Sequence, residues 1–133
     1  MNVDIVTLIR DTLLETGCDE SLLNNFDGHS TISLDFSDRA SMLISLVDDQ
    51  VWLWSRIGEE NTHVLSQKAD DLLKTLMEGC AFTPSGQLQL ATNDGYIELK
   101  GLVSSSYTET STRFAEALDE FFALQEKFVE ILQ

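Results

Sequence analysis

Apolar residues recur along the first half of the chain with two spacings, one typical of helices and one typical of strands. Residues 3–16 follow the helical spacing, and Gly17 is a typical helix C-terminus. The segments 31–36, 41–47 and 51–57 repeat with a period of two, as strands do. Their connections are of hairpin length, so we predict three successive strands of an antiparallel meander.

The second half of the chain repeats the two spacings. A strong hairpin signal, Asn93-Asp94-Gly95, separates two strand-like segments. The pattern predicts, in order, a helix over 63–78 with Thr62 as its N-cap and Gly79 at its end, strands over 86–92 and 96–103, and a helix over 111–132. The full order αβββαββα predicts a single α+β domain over 1–133, in which a twisted antiparallel sheet is packed with helices.

The strand over 51–57 is apolar on both faces. Val51, Leu53 and Ile57 share one face, and Trp52 and Trp54, the two tryptophans of the chain, share the other. A strand in a small antiparallel sheet normally has one apolar face and one face in water. We expect the first set to face the helices, and the tryptophans to line a partner groove or the edge of a dimer contact. The alternative is that another helix of the same subunit covers the tryptophans.

Three segments carry more apolar surface than the core of one monomer needs. Helix 3–16 is apolar over more than half of its circumference, strand 51–57 has two apolar faces, and helix 63–78 has a widened stripe. The simpler interpretation is that helices cover both faces of the sheet. Three such surpluses favour a protein that contacts a second copy of itself and an apolar partner. The predicted dimer contact comprises Leu65, Ala69, Leu72, Leu73, Leu76, Leu88 and Leu90.

The charge of the chain narrows the class of partner. There are 23 acidic and 8 basic side chains, so the formal net charge is −15. Nucleic acid is excluded as a partner because a polyanion needs a basic footprint, and an acidic membrane surface is disfavoured for the same reason. The amino terminus lacks the pattern of a secretory signal, and no apolar run is long enough to span a bilayer. We therefore expect a cytoplasmic protein.

The sequence offers little catalytic chemistry. His29 and His63 have no ligand at metal-binding spacing, and the chain has neither a Gly-rich phosphate loop nor a nucleophile elbow. Cys18 and Cys80 are far apart and lack a basic neighbour that would activate them, so we expect structural thiols. We predict no enzyme, no catalytic or metal site and no cofactor. Two alternatives remain: a dimeric, non-enzymatic scaffold that binds a folded partner, and a small enzyme that uses Asp and His.

Five segments, in order and without large gaps, resemble the class IB type III secretion chaperones, and most closely their InvB/SpaK group of multi-effector chaperones. The segments are LIRDTLLETGCDESLL (8–23), DGHSTISLD (27–35), DDQVWLWSRIG (48–58), LMEGCAF (76–82) and GQLQL (86–90). No single one of them is unique, so the resemblance rests on their sum. Residues 104–112 depart from the family pattern.

The resemblance implies an acidic, cytoplasmic bacterial homodimer that binds the amino-terminal chaperone-binding segment of secreted effectors. Such chaperones hold that segment extended around the folded dimer and release it at the ATPase of the secretion apparatus, without a cofactor. An extended client can add to a sheet edge while its apolar side chains enter shallow pockets. The client-binding groove that we predict comprises Ile5, Leu8, Leu34, Phe36, Ile44 and Trp54.

Overall fold

In the residues that the structure describes, the fold is an open five-stranded sheet with three α-helices. The computed structural model describes residues 5–15, 17, 31–36 and 39–133. Its elements are α1 (Ile5–Glu15), β1 (Ile32–Leu34), β2 (Met42–Val47), β3 (Gln50–Glu59), α2 (Thr62–Glu78), β4 (Gln89–Asn93), β5 (Tyr96–Leu102) and α3 (Ser111–Leu132), with a 3₁₀ turn at Ser105–Tyr107 before α3. The predicted αβββαββα order and α+β class are confirmed.

The sheet is antiparallel throughout, with the strands in the order β1-β2-β3-β5-β4. β3 is the longest strand and lies in the middle, paired with β2 on one side and β5 on the other. Each strand was predicted, although β1 and β4 are shorter than the sequence pattern suggested. β1 and β4 form the two edges of the sheet.

One face of the sheet packs against the helices and forms the core. Val51, Leu53 and Ile57 are at most 6% exposed, so they face the core as predicted. α3 contributes three buried phenylalanines that are seven residues apart, Phe114, Phe121 and Phe128. α3 contacts β3, α1 and α2, and it is therefore the element around which the core is built. Each buried Phe contributes roughly 1.5–3 kcal/mol relative to an exposed one.

The ends of the first two helices depend on one residue each. α1 ends at Glu15, and Gly17, just beyond it, has φ +94° and donates its N–H to the Leu14 carbonyl. α2 is capped by Asn61, whose side chain accepts from the N–H groups of His63 at 3.0 Å and Val64 at 3.2 Å. The prediction of Thr62 as the cap is wrong, because Asn61 places its carbonyl oxygen over the first free N–H groups and Thr62 is already helical.

Two-residue turns fix the register of the hairpins. Asp48 and Asp49 join β2 to β3 with φ of 51° and 64°, and Asp94 and Gly95 join β4 to β5 with φ of 52° and 81°. Two successive positive φ values are typical of the type I′ turn, which matches the twist of the flanking strands. At 49, an Asp occupies the position that Gly fills in the second hairpin.

We expect Asp49→Gly to stabilise the protein by about 0.5–1 kcal/mol, because glycine adopts positive φ without the steric cost of a side chain. Urea unfolding at one fixed protein concentration measures the change. Asp119→Gly, at an exposed position inside α3, is the control and should destabilise by about 1 kcal/mol. A loss of stability in Asp49→Gly would show that the Asp side chain makes a needed contact.

Candidate functional site

The second face of the sheet carries both tryptophans. We call it the tryptophan face, and its outward side chains are Leu43, Ser45, Val47, Trp52, Trp54, Arg56, Glu98, Lys100 and Leu102. Trp52 and Trp54 are half-buried, and Val47 is 52% exposed. In the part of the chain that the structure describes, the depressions on this face are lined by strand residues and by 40–41, with no helical residue among them. With respect to the described residues, the tryptophans therefore lie on an open surface.

Trp54 lines two depressions on this face. The first, of about 320 Å³, is bounded by Ser45, Val47, Trp52, Trp54, Gln89, Asn93, Glu98 and Lys100. The second, of about 430 Å³, is bounded by Ser33, Ala40, Ser41, Leu43, Trp54 and Arg56. Each combines apolar walls with polar groups, as a recognition pocket does.

Hydrogen bonds and strand pairing hold the indole of Trp54 in place. Its Nε1–H donates to Ser45 Oγ at 2.9 Å, and Ser45 Oγ lies 2.8 Å from Thr31 Oγ. Leu43 and Lys100 are its cross-strand neighbours on the two sides. The large apolar ring is thus oriented before any partner binds, which reduces the entropic cost of binding.

A charged cluster lies beside Trp54. The side chain of Glu98 is only 2% exposed, and Lys100 Nζ at 3.4 Å, Arg56 Nε at 3.7 Å and Asn93 Nδ2 at 3.4 Å face its carboxylate. Arg56 lies over the Tyr96 ring, 4.7 Å from its centroid. A carboxylate out of water needs such opposite charges around it. Lys100 and Arg56 stay 35% and 43% exposed above this buried carboxylate, and the more exposed Asp94 lies 4.0 Å from Arg56.

The β1 edge of the sheet is shaped by Asp35. Its carboxylate accepts hydrogen bonds from Ser41 Oγ at 2.6 Å and Ser33 Oγ at 2.8 Å, and both lower the pKa of Asp35. Since the pKa is lower in the folded state, this stabilisation is complete above the unfolded pKa and is lost as the pH falls through the folded pKa. The bonds tie the end of β1 to the start of β2, the strand with which β1 pairs in the described part of the chain.

The structure does not bring the six predicted client-binding residues into one groove. Ile44, Leu34 and Leu8 are 0%, 8% and 9% exposed and belong to the core, and Ile5 packs against that core. Phe36 and Trp54 are accessible but lie apart: Phe36 packs edge-to-face on Phe122 of α3, with ring centroids 5.0 Å apart, whereas Trp54 is on the opposite face. The predicted groove is thereby corrected to two separate surfaces.

The correction follows from the register of β2. Val47 pairs with Gln50 across the turn, so Leu43 pairs with Trp54 and Ile44 with Leu53. Leu43, rather than Ile44, therefore shares a face with Trp54. The sequence held this signal, because a two-residue turn at Asp48-Asp49 fixes the pairing, and the same reasoning would have added Val47 and Trp52.

The residues of the predicted dimer contact are divided between the core and the surface. Leu72 and Leu88 are 4% and 7% exposed and lie in the core, where a Cβ on Gly101 would sit 2.7 Å from Leu88 Cδ2. Leu65, Leu76 and Leu90 are partly buried against it. Ala69 and Leu73 face outward on α2, and Met77 lies one turn beyond Leu73. Leu73 and Met77 are 57% and 66% exposed, so α2 presents an unpartnered apolar stripe.

No catalytic arrangement emerges from the residues that the structure describes. His63 is exposed and lies 3.2 Å from Gln67, and Cys80 is half-buried with its Sγ 3.3 Å from Thr83 Oγ. His29 and Cys18 lie outside the described residues. Within the described ranges, no group of His, Cys, Asp and Glu could hold a metal ion. Of the described helices, none combines the length and the apolar character that crossing a membrane requires.

Two sequence comparisons relate the chain to known proteins. The model of the Invasion protein B family matches residues 17–94. The surface presentation of antigens protein SpaK of Salmonella typhimurium is 41% identical over 127 residues, which are 96% of this chain and 94% of SpaK.

Two solved structures share the fold at low identity. A chain of the ExsC–ExsE complex is 13% identical with a TM-score of 0.70, and 99% of this chain and 97% of that one are covered. A chain of the heterodimeric ExoU–SpcU complex from the type III secretion system of Pseudomonas aeruginosa is 15% identical with a TM-score of 0.64, and the coverage is 94% and 98%.

The family confirms the resemblance that the five segments indicated. It is a family of chaperones without enzymatic activity, so the prediction that the chain is not an enzyme is confirmed as well. The chain belongs to the Invasion protein B family, the InvB/SpaK type of type III secretion chaperone that serves secreted effectors.

Proposed function

We propose that the chain binds the amino-terminal chaperone-binding segment of type III secreted effectors, keeps it extended and secretion-competent, and hands it to the secretion apparatus. The observation that carries this proposal is the open tryptophan face with its two depressions. A monomer gains nothing from leaving two half-buried tryptophans and Val47 at the surface, whereas a chaperone needs a preformed apolar site for an unfolded segment.

The sheet edges supply the backbone half of such a site. β1 is paired only with β2, and β4 only with β5, in the described part of the chain. An extended segment that adds to an edge gains main-chain hydrogen bonds, and its alternate side chains then point onto the sheet face. This arrangement suits a client that is held unfolded, because ordering it costs conformational entropy that many small contacts must offset.

We further propose that the working unit is a homodimer in the bacterial cytoplasm and that it releases its client at the ATPase of the apparatus. The exposed stripe of Leu73 and Met77 on α2 supports the dimer. The net charge of −15 supports a soluble protein that carries apolar surface without aggregating. Handover to the ATPase rests on the family resemblance.

Binding of effector pieces tests the proposal. For each effector of the bacterium that encodes this chain, the amino-terminal segment and the remainder should be produced separately and mixed with the purified protein. We expect stoichiometric complexes with amino-terminal segments only, and hydrogen exchange should show protection on both the segment and an edge strand, β1 or β4. Binding of folded remainders alone would favour the scaffold alternative.

A further inference from the structure

The basic side chains are distributed unevenly over this acidic chain. Only eight Lys and Arg residues balance 23 acidic ones, yet Arg56 and Lys100 both lie on the tryptophan face next to Trp54. Lys100 is the direct cross-strand neighbour of Trp54, and Arg56 follows two residues along the same face of β3. Beside the candidate client site, these two cations are partly exposed above the buried Glu98, with Asp94 4.0 Å from Arg56, while the chain as a whole repels acidic polypeptides.

Neither of these cations makes a short ion pair. Their distances to Glu98 are 3.4 and 3.7 Å, and Arg56 lies 4.0 Å from Asp94. Short ion pairs hold three cations elsewhere, with Arg39 at 3.0 Å from Glu126, Lys74 at 2.9 Å from Asp70 and Arg113 at 2.8 Å from Glu116. Charge-assisted hydrogen bonds are typically 2.7–2.9 Å, so the buried Glu98 positions Lys100 and Arg56 without engaging their donors fully.

Each cation lies at the rim of one depression. Lys100 borders the depression that Trp52 and Val47 line, and Arg56 borders the one that Leu43 lines, with Trp54 in both. In an extended peptide, side chains two residues apart point to the same side. A client that places an apolar side chain in a depression can consequently place an acidic side chain, two residues away, beside Lys100 or Arg56.

We infer that the tryptophan face selects client segments that carry an Asp or Glu two residues from a large apolar side chain. This inference rests on the proposed function and adds the chemistry of the recognised segment. The acidic residue meets the exposed donors of Lys100 or Arg56 and is repelled by acidic surface elsewhere, so it fixes the register in which the segment binds.

The probe is a phage-displayed library of random peptides of about 12 residues, long enough in extended form to cross a five-stranded sheet. Selection on the purified wild-type protein should enrich Asp or Glu two positions from a large apolar residue. For a selected peptide, Glu→Gln should weaken binding roughly five-fold, and added salt should weaken the Glu form more than the Gln form.

Variants separate local recognition from net charge. Lys100→Met should reduce the acidic preference, whereas Lys127→Met, which removes an exposed cation on α3, should leave it unchanged. Because Lys100→Met leaves the buried Glu98 with one cation fewer, the paired change Arg56→Gln with Glu98→Gln is a second test. It removes a cation and the carboxylate together, so it buries no unpaired charge, and it should reduce the preference.

The outcomes distinguish this inference from the proposed function. Selected peptides that lose binding in Trp54→Ala, but show no acidic preference, would overturn the inference alone. A preference that is undiminished in both Lys100→Met and the paired variant would also overturn it. Failure to select any peptide on the folded protein would count against peptide binding itself. It would therefore contradict the proposed function and this inference together.

Discussion

Replacing Trp54 with alanine is expected to weaken binding of an effector segment by more than about 1 kcal/mol while the chain stays folded. Large aromatic side chains dominate binding energies when a partner buries them. Trp54 lines both depressions of the tryptophan face, and its ring is held by Ser45 before binding. Because the side chain is only half-buried, its truncation should cost the fold about 1–2 kcal/mol. Calorimetry measures the affinity, with circular dichroism beside it.

Phe36→Ala is the matched comparison. Phe36 is 37% exposed, and it packs on Phe122 and lies 5.8 Å from the Arg39 guanidinium, at the helical side of the β1 edge. A client on the tryptophan face should lose more affinity from Trp54→Ala than from Phe36→Ala, and a client that lies along α3 should do the reverse. If Trp54→Ala unfolds the chain, the tryptophan is a core residue and the open-face interpretation fails. If both variants bind normally, the client lies elsewhere.

Most of the fold was predictable because its signals are local. The bounds of α3 match the prediction at 111–132, since the heptad of Phe114, Phe121 and Phe128 has no other periodic interpretation. The two hairpins follow from turn residues that tolerate positive φ. The helix cap was missed by one residue because Asn61 and Thr62 are both good caps, and only the backbone geometry chooses between them.

The candidate site was harder to predict because it depends on which of two apolar faces the helices cover. Ile44 and Leu43 are adjacent and both apolar, and only the cross-strand register puts Ile44 in the core and Leu43 beside Trp54. α1 shows the same difficulty. Most of its circumference is apolar, and the sequence alone does not reveal that Leu8 is buried while Leu14 is 37% exposed. Amphipathic patterns identify apolar surface, whereas tertiary packing decides how much of that surface stays open.

The charged cluster could not be predicted at all from sequence spacing. Arg56 and Glu98 are 42 residues apart in the sequence. They come together only because β5 pairs with β3, although α2 and β4 lie between these strands in the chain. A buried Glu in a strand that reads as alternately apolar and polar looks like an ordinary solvated position. The specificity of the site therefore resides in long-range pairing, while its apolar character is visible in DDQVWLWSRIG alone.

The second large effect concerns the proposed homodimer. Leu73→Asp is expected to convert a dimer into a folded monomer, because Leu73 is 57% exposed in the monomer and Asp is harmless there, whereas burying the charge in an apolar contact costs several kcal/mol. Leu72→Asp is unsuitable as a test, since Leu72 is 4% exposed and the charge would disrupt the core itself. Sedimentation at several concentrations, with circular dichroism, measures both assembly and folding.

Leu14→Asp is the control for this test, because it adds the same charge at an exposed apolar position on α1 and should leave the dimer intact. Met77→Asp, one helical turn from Leu73, should reproduce the dissociation. A dimer that survives both α2 variants would place the contact elsewhere, and a wild-type chain that sediments as a monomer would remove the dimer from the proposal. If the monomeric variants still bind effector segments at the tryptophan face with unchanged affinity per chain, each subunit holds a complete site. Dimerisation would then act through effective concentration, joining two sites along one extended client.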